Sequence, residues 1–592
     1  MLKKTLAVQR PAHISLFVVG LMWVFPFLHY RHQHPLTTFY QEWWSALLGV
    51  LALTLLASRD YWRQPQVPRI AQLPIALLGI VLLQWGLGKV AYSDQALLYI
   101  LYLLFAALLM LLGARLRECF GMEKLATVLA MFLLIGAELS ALIGVLQHYR
   151  WPTPLDSVIV MKVSSSVFGN LAQPNHFANY IALGLVSLGL LLQQQRLKAA
   201  YVAVLAAPLL FVMTLSGSRS SWLYLLMMAG LAWWWARRDA AQRPLLRYSM
   251  LLVAGFGAMH LAVQLPFLAG ADGSIDTMQR LFGDDASGAI RLYLWRETWL
   301  MFMQSPWLGA GFGQFAWQHF QLQPVLHGGV TGLYNNAHNL VFHLAAEAGM
   351  AGLLALSGSL GIWFYGLRRA ALDAAHWWGH AALGVLAIHS LLEYPLWYTY
   401  FVAVAAVLLG ALDETRYRLE LRNAGRLPVV AILLLGLMAL AQLRGGYQQL
   451  ERALATRPAQ AGDSSAFERM RDGLVAVRGG SLLSPYAELF MSSLIEVGDG
   501  RIADKLELNS RVIRFVPTGA VAYRQAMLLA QAGRQEEART MLEQAIWSYP
   551  GEFSGAHRQI AELAEKDPEH FSSLLEFALQ KEQEYRRAVR HR

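Results

Sequence analysis

The sequence predicts an all-α, polytopic membrane protein with about thirteen transmembrane helices, a long loop on its outer face and a C-terminal soluble helical domain. Three observations lead there. Hydrophobic residues make up 56% of the 592 and charged residues only 15%, with a mean hydropathy of +0.37, the profile of a multispanning protein and not of a soluble enzyme. Apolar runs of spanning length recur as far as residue 444. Beyond about 445, charges become regular and the apolar residues take helical spacing.

The predicted spans are 13–30, 43–58, 70–88, 95–113, 125–147, 176–193, 199–216, 220–236, 248–268, 339–366, 379–394, 396–412 and 427–444. The first follows Met-Leu-Lys-Lys-Thr. It is too long and aromatic for a cleavable signal and lacks a small-residue cleavage site, so it is expected to stay. Alternate gaps hold 21 Lys and Arg, among them Arg69, Arg117, Arg369, Arg416 and Arg418, while the opposite gaps hold eight. That asymmetry predicts a cytoplasmic N-terminus, and an odd number of spans then places the C-terminal region outside. The net charge of +10 is thereby spent between spans; no basic run with interleaved aromatics suggests nucleic acid. Cys119 is the single cysteine, which excludes an intrachain disulfide and a thiolate metal cluster.

Three outer segments stand out. His29-Tyr-Arg-His32-Gln-His34 through Tyr40-Gln-Glu42-Trp43 is rich in histidine and aromatics; its spacing fits no standard metal site and suits an interfacial aromatic loop. The second, about 148–175, ends in Gly169-Asn-Leu-Ala-Gln173-Pro-Asn175-His176. The third, about 269–338, is long enough to cover a site and closes on Tyr334-Asn-Asn-Ala-His338-Asn-Leu. The expected domains are thus 1–444, membrane-embedded and including the loop 269–338, and 445–592, helical. In the latter, Ala526, Leu529, Ala538, Leu542, Ala545 and Pro550 match the positions of a tetratricopeptide repeat, and Pro517 lies 33 residues before Pro550. A generic helical hairpin accounts for one such match equally well.

Candidate chemistry gathers on the outer side. Arg219 lies in a tight Leu-Ser-Gly-Ser-Arg-Ser-Ser turn between two spans, where it needs an anionic partner or water. Arg291 and Arg296 lie in an aromatic amphipathic stretch. Arginine's planar fork matches phosphate oxygens. His338 stands at the start of a predicted helix, where it either caps that helix or does chemistry. With a lipid diphosphate-linked sugar as donor, the arginines would stabilise the departing diphosphate and His338 would take the acceptor proton.

The Tyr334-Asn-Asn-Ala-His338-Asn-Leu and Ala346-Glu347-Ala-Gly349 motifs resemble the signature of the O-antigen ligase/polymerase superfamily. Gly169-Asn-Leu-Ala-Gln173-Pro-Asn175-His176-Phe and His389-Ser-Leu-Leu-Glu393-Tyr394-Pro395-Leu-Trp397-Tyr398 are similar to the narrower PglL-type, pilin-glycosylating O-oligosaccharyltransferases. The matches cover most of residues 15–412. The resemblance implies a bacterial inner-membrane enzyme, with the active site and C-terminal domain in the periplasm. It implies transfer of a glycan from undecaprenyl diphosphate to Ser or Thr of pilin or other exported proteins, without metal or cofactor. It implies His338 as catalytic base, Arg219 and Arg291 as diphosphate ligands, and Gln173, Asn175 and Tyr394 as site-lining residues. Asn336 departs from the pattern, since relatives can carry a second histidine there. Glu347, nine residues past His338, falls half a turn away on a regular helix and is expected to serve packing or to support the site from behind, without touching the His338 imidazole. Two other readings share the donor site: ligation to lipid A core and polymerisation of the lipid-linked glycan. A transporter without chemistry lacks support, because no inverted pair of broken spans with ionisable residues at mid-membrane is evident.

Overall fold

The computed structural model describes residues 2–162, 165–271, 286–327, 329–455, 464–498 and 500–590. Much of the expected outer loop 269–338 is included, but 272–285, with Arg280, and residue 328 lie outside the described residues. The fold is almost wholly helical. Two short antiparallel strands, β1 (Gln66–Pro68) and β2 (Arg416–Arg418), pair Gln66 with Arg418 and Pro68 with Arg416.

Among the described residues, seven helical stretches are long and apolar enough to cross a membrane: Arg10–Leu28, Arg69–Gly86, Ser93–Tyr149, Pro174–Gln193, Ala240–Ala262, Leu340–Arg369 and Arg422–Ala455. The difference from thirteen has identifiable causes. The expected spans 95–113 and 125–147 both fall within Ser93–Tyr149, which breaks at Gly121 (φ 73°) beside the charged Arg115–Lys124 gap. The second expected span yields Phe39–Leu53, only 15 residues, followed by a 3-10 turn. Ser220–Arg238 and Ala374–Leu392 are helices of 19 residues each, but tryptophan in the first and histidine in the second lower their hydropathy. Ala199–Leu215 and Thr399–Leu412 are apolar and shorter.

The chain forms two compact units that do not follow chain order. The first comprises Met1–Ala76, Tyr102–Asp285 and Ala355–Leu440; the second comprises Leu77–Leu101, Ala286–Leu354 and Ala441–Arg592. The core of the first unit is built on large buried side chains, including Trp23, Phe27, Tyr180, Trp377 and Trp378. Phe27 stacks on Tyr180 at 4.0 Å. Three of the four polar handles among them are paired, as is usual for buried polar groups: Tyr180 donates to the Trp23 carbonyl, Trp23 Nε1 to that of Ala403 and Trp378 Nε1 to Ser187 Oγ, while Trp377 Nε1 has no hydrogen-bond partner among the described residues.

In the second unit, helices Gly519–Gln531 and Gln535–Ser548 form a hairpin. Ala526, Leu529, Ala538, Leu542 and Ala545 are all buried, so the repeat-like positions are the packed face. Phe320, from helix Phe315–Leu326, completes that core. Glu488 gathers the C-terminal helices around residues 77–101: it accepts from Tyr92 Oη at 2.8 Å and pairs with Arg478 and Arg511 at 2.7 and 2.9 Å.

Candidate functional site

In the first unit, the Gln-Pro-Asn and Glu-Tyr-Pro motifs meet. Gln173 is the N-cap of helix Pro174–Gln193, with its side chain accepting from His176 N–H and Pro174 filling the first position, where no N–H is needed. The resemblance assigned Gln173 to the lining of a site; the hydrogen bond shown for its side chain is a helix cap. The cap aims the next two residues across the bundle. Asn175 Nδ2 donates to Glu393 Oε1 at 2.7 Å. His176 Nδ1 lies 2.8 Å from His389 Nε2, and His389 Nδ1 lies 3.0 Å from Tyr224 Oη. Both His389 nitrogens are therefore engaged in a buried chain of three residues from three helices. Tyr394 and Tyr398 pack edge-on against His176 at 5.8 and 5.2 Å.

The other segments of this unit that were expected on the outer face are tied to the same end. Glu42 accepts from Thr399 N–H at 2.7 Å. Asn170 is a five-way tie: its carbonyl accepts from Gln41 and contacts His32 Nε2 at 2.6 Å, and its side chain binds the Leu28 and Val158 carbonyls and Val160 N–H. Burial holds His32 below the ordinary histidine value, against the opposing pull of hydrogen bonds from Asn170 and His29. His29 stacks on Tyr30 and Tyr40. His32 and His29 are thus engaged as a loop tie and as aromatic surface. Arg219 is exposed at the N-terminus of helix Ser220–Arg238. Its turn is joined to the Gly169–Gln173 region by Val167 N–H donating to the Leu215 carbonyl at 3.1 Å.

In the second unit, the predicted continuous helix over 339–366 is broken. Gly349 has φ 62° and ψ −155° inside Leu340–Gly366. The 306–311 loop fills the break: Ala310 and Gly311 N–H donate to the Ala346 and Glu347 carbonyls at 2.9 and 3.1 Å, and Met350 and Ala351 N–H donate to the Pro306 and Trp307 carbonyls at 2.7 and 3.0 Å. Every backbone group that the break would orphan at these positions is therefore paired. A Cβ at Gly349 would sit 2.6 Å from Gly309 N, so only glycine fits. Glu347 is buried here, accepting from Phe315 N–H at 3.1 Å and lying 3.1 Å from His343 Nε2. Its partner is His343.

The helix start divides its labour between neighbours. Asn339 Oδ1 accepts from Val341 and Phe342 N–H at 3.0 and 3.1 Å, so Asn339 is the cap. His338 precedes it at φ 49°, an uncommon conformation for a side-chain-bearing residue. Its N–H donates to Asn336 Oδ1 at 3.1 Å. The residue standing where relatives can carry a second histidine is thus buried and supports the backbone of His338. Trp295, on helix Ala286–Gln304, donates from Nε1 to the Ala337 carbonyl at 3.0 Å and stacks on Phe342 at 5.1 Å. Arg291, half-buried, lies one turn before Trp295 and so on the same helical face.

One buried group escaped the sequence reading. Glu297 binds His319 Nδ1 and Gln323 Nε2, each at 2.7 Å, and His319 Nε2 lies 3.2 Å from the Gly332 carbonyl. All three side chains are essentially inaccessible. They anchor the loop leading to His338. The only local signal was Arg296-Glu297, an acid within an aromatic helix, with nothing to reveal its partner 22 residues on.

Three family profiles match the chain. One described as O-Antigen ligase covers residues 203–357 and contains Arg219, Arg291 and His338. One described as Protein glycosylation ligase covers 167–192 and contains Gln173, Asn175 and His176. One described as Virulence factor membrane-bound polymerase, C-terminal, covers 377–563 and contains His389, Glu393 and Tyr394. Two proteins of Acinetobacter baylyi are similar. A general O-oligosaccharyltransferase is 28% identical over 461 residues, 75% of this chain and 78% of that protein. A ComP-specific O-oligosaccharyltransferase is 24% identical over 382 residues, 63% of this chain and 66% of that protein.

Proposed function

We propose that this chain, which is similar to PglL-type O-oligosaccharyltransferases of the O-antigen ligase superfamily, transfers a glycan from undecaprenyl diphosphate to Ser or Thr hydroxyls of exported proteins such as pilins. It is a glycosyltransferase; the lipid carrier, the pilin-type acceptor, the inner membrane and the periplasmic orientation are parts of the proposal. His338 accepts the proton of the acceptor hydroxyl as that oxygen attacks C1 of the sugar. The C1–O bond to the diphosphate breaks, and the lipid diphosphate leaves with the electron pair. Arg219 and Arg291 bind its oxygens and stabilise the growing negative charge. Asn175 and Tyr394 line the first unit's outer end, and Gln173 shapes it by fixing the start of its helix. No step calls for a metal ion.

The observation that carries this reading is the backbone at 336–339. Asn339 performs the capping and Asn336 the backbone support, so the strained φ of His338 is not explained by a capping role. A histidine held in an unusual conformation by two asparagines, on the loop that Arg291's helix clamps, suits a general base.

The test is co-expression of the full chain with a defined undecaprenyl-linked glycan, with and without a pilin acceptor. A glycan-sized mass shift on the pilin supports the proposal. Glycan appearing only on lipid A core, or only a lengthened lipid-linked glycan, would replace it with the ligase or the polymerase reading.

A further inference from the structure

A polar cavity lies in the first unit, at the other end of helix Thr399–Leu412 from the Glu42, His176 and Tyr398 cluster. The 14 residues of that helix separate the two by about 21 Å. The cavity measures about 830 Å³, and five arginines line it: Arg69, Arg117, Arg369, Arg416 and Arg418. They come from separate stretches of the chain that the charge count had placed on one side. The two strands explain part of the convergence, because Arg416 and Arg418 are two apart on β2 and share a face.

Charge is only partly balanced. Two glutamates line the cavity with them. Arg117 pairs with Glu414 at 2.8 Å and Arg416 with Glu118 at 3.1 Å. Among the described residues no carboxylate pairs with Arg69, Arg369 or Arg418. Arg69 Nε is buried without a hydrogen-bond partner, while its guanidinium lies over Tyr417 at 4.8 Å, which fixes its plane. Three uncompensated guanidiniums around one cavity at the end of membrane-length helices call for an anion.

The opposite wall says which kind. It is the C-terminal part of helix Leu340–Gly366, contributing Gly358, Gly361, Ile362 and Tyr365. A Cβ at either glycine would meet no heavy atom within 4 Å, so the pair leaves an open furrow along the helix. Leu354, Phe364 and Tyr365 on this stretch are 64, 58 and 57% exposed, a surface suited to hydrocarbon. A free anion has no use for such a furrow; a lipid has.

We propose that this cavity binds the phosphate headgroup of an anionic phospholipid, with an acyl chain lying along the Gly358–Gly361 furrow. The arginines supply bidentate donors to the phosphate, and the bound lipid ties β1 and β2 to the end of helix Leu340–Gly366. The site is separate from the groups assigned to glycan transfer and does not depend on that reading.

The test uses the full-length protein in nanodiscs of phosphatidylcholine alone or doped with phosphatidylglycerol, read by native mass spectrometry and thermal unfolding. The expected result is selective retention of phosphatidylglycerol and a raised unfolding temperature in the doped discs. Retention should fall at least tenfold in Arg69→Gln/Arg418→Gln and fall in Gly361→Leu, which fills the furrow. Arg418→Gln alone, at an exposed position, is the variant least able to disturb folding and should show a smaller drop in the same direction. Equal retention of both lipids, or undiminished selectivity in all three variants, would overturn the proposal. Displacement of the lipid by millimolar inorganic phosphate, with the same thermal shift, would assign the cavity to a free anion instead.

Discussion

Asn175 donates to Glu393 across 218 residues of sequence at 2.7 Å, joining the two motifs that most narrow the resemblance. A buried hydrogen bond contributes roughly 1 kcal/mol net, and a buried partner left unpaired costs roughly 1–3 kcal/mol. Asn175→Asp replaces the donor with a second acceptor and sets two carboxyl groups against each other. It should lower stability by about 2 kcal/mol and reduce glycan transfer, whereas Glu393→Gln keeps an acceptor oxygen and should be milder in both. Thermal unfolding and pilin glycosylation of the two variants measure the contrast. An Asn175→Asp protein as stable and active as wild type would show that the contact joins nothing of consequence.

His338→Ala removes the proposed base and leaves Asn339 to cap the helix. Transfer should fall by about 10²–10⁴-fold, the usual scale of a general base, while unfolding temperature and membrane insertion stay close to wild type. Asn339→Ala should do the reverse, costing about 1 kcal/mol of stability with a smaller effect on rate. Equal activity in His338→Ala and wild type would remove the base assignment.

Arg291→Lys keeps the charge and loses the planar fork. It should weaken donor binding, raising the donor concentration needed for half-maximal transfer by about tenfold or more, roughly 1.4 kcal/mol. Arg296→Lys, exposed on the same helix, is the control. If both variants bind donor alike, Arg291 is not a phosphate ligand.

Gly349→Ala meets Gly309 N at 2.6 Å and an unfavourable φ of 62°, so the 306–311 loop must leave the helix break. The expected loss is about 2–4 kcal/mol, seen as a lowered unfolding temperature and faster proteolysis within 305–351. Gly79→Ala, with no atom within 4 Å of the new Cβ and on a helix, should be neutral or slightly stabilising.

His32 gives the first unit an acid limb. Burial lowers its pKa from 6.5, so the unfolded chain binds a proton there that the folded chain refuses. Stability from this group is complete above pH 6.5 and declines as pH falls from 6.5 through the lowered folded value. The unfolding temperature should drop on acidification from pH 7.5 to 5, and His32→Gln should flatten that drop. An unchanged pH profile in the variant would place the sensitivity elsewhere.

Much of this protein was legible because its signals are local. Apolar run length and positive charge between runs follow from the cost of putting charges and bare backbone into hydrocarbon, and these reveal a helical membrane protein with a helical tail. The motifs at 169–177, 334–349 and 389–398 carried the family with them. Other features needed the folded chain. Whether Asn339 or His338 caps the helix depends on a rotation of one residue's φ, which the Asn-Asn-Ala-His-Asn string leaves open. The expected span 339–366 proves to be broken at Gly349, because a distant loop supplies the hydrogen bonds that a regular helix would have made for itself. The Asn175–Glu393 bond, the His176–His389–Tyr224 chain and the five-arginine cavity all join residues far apart in sequence. Their distances are set by how helices stack, and packing of that kind leaves no mark in the periodicity of any one helix.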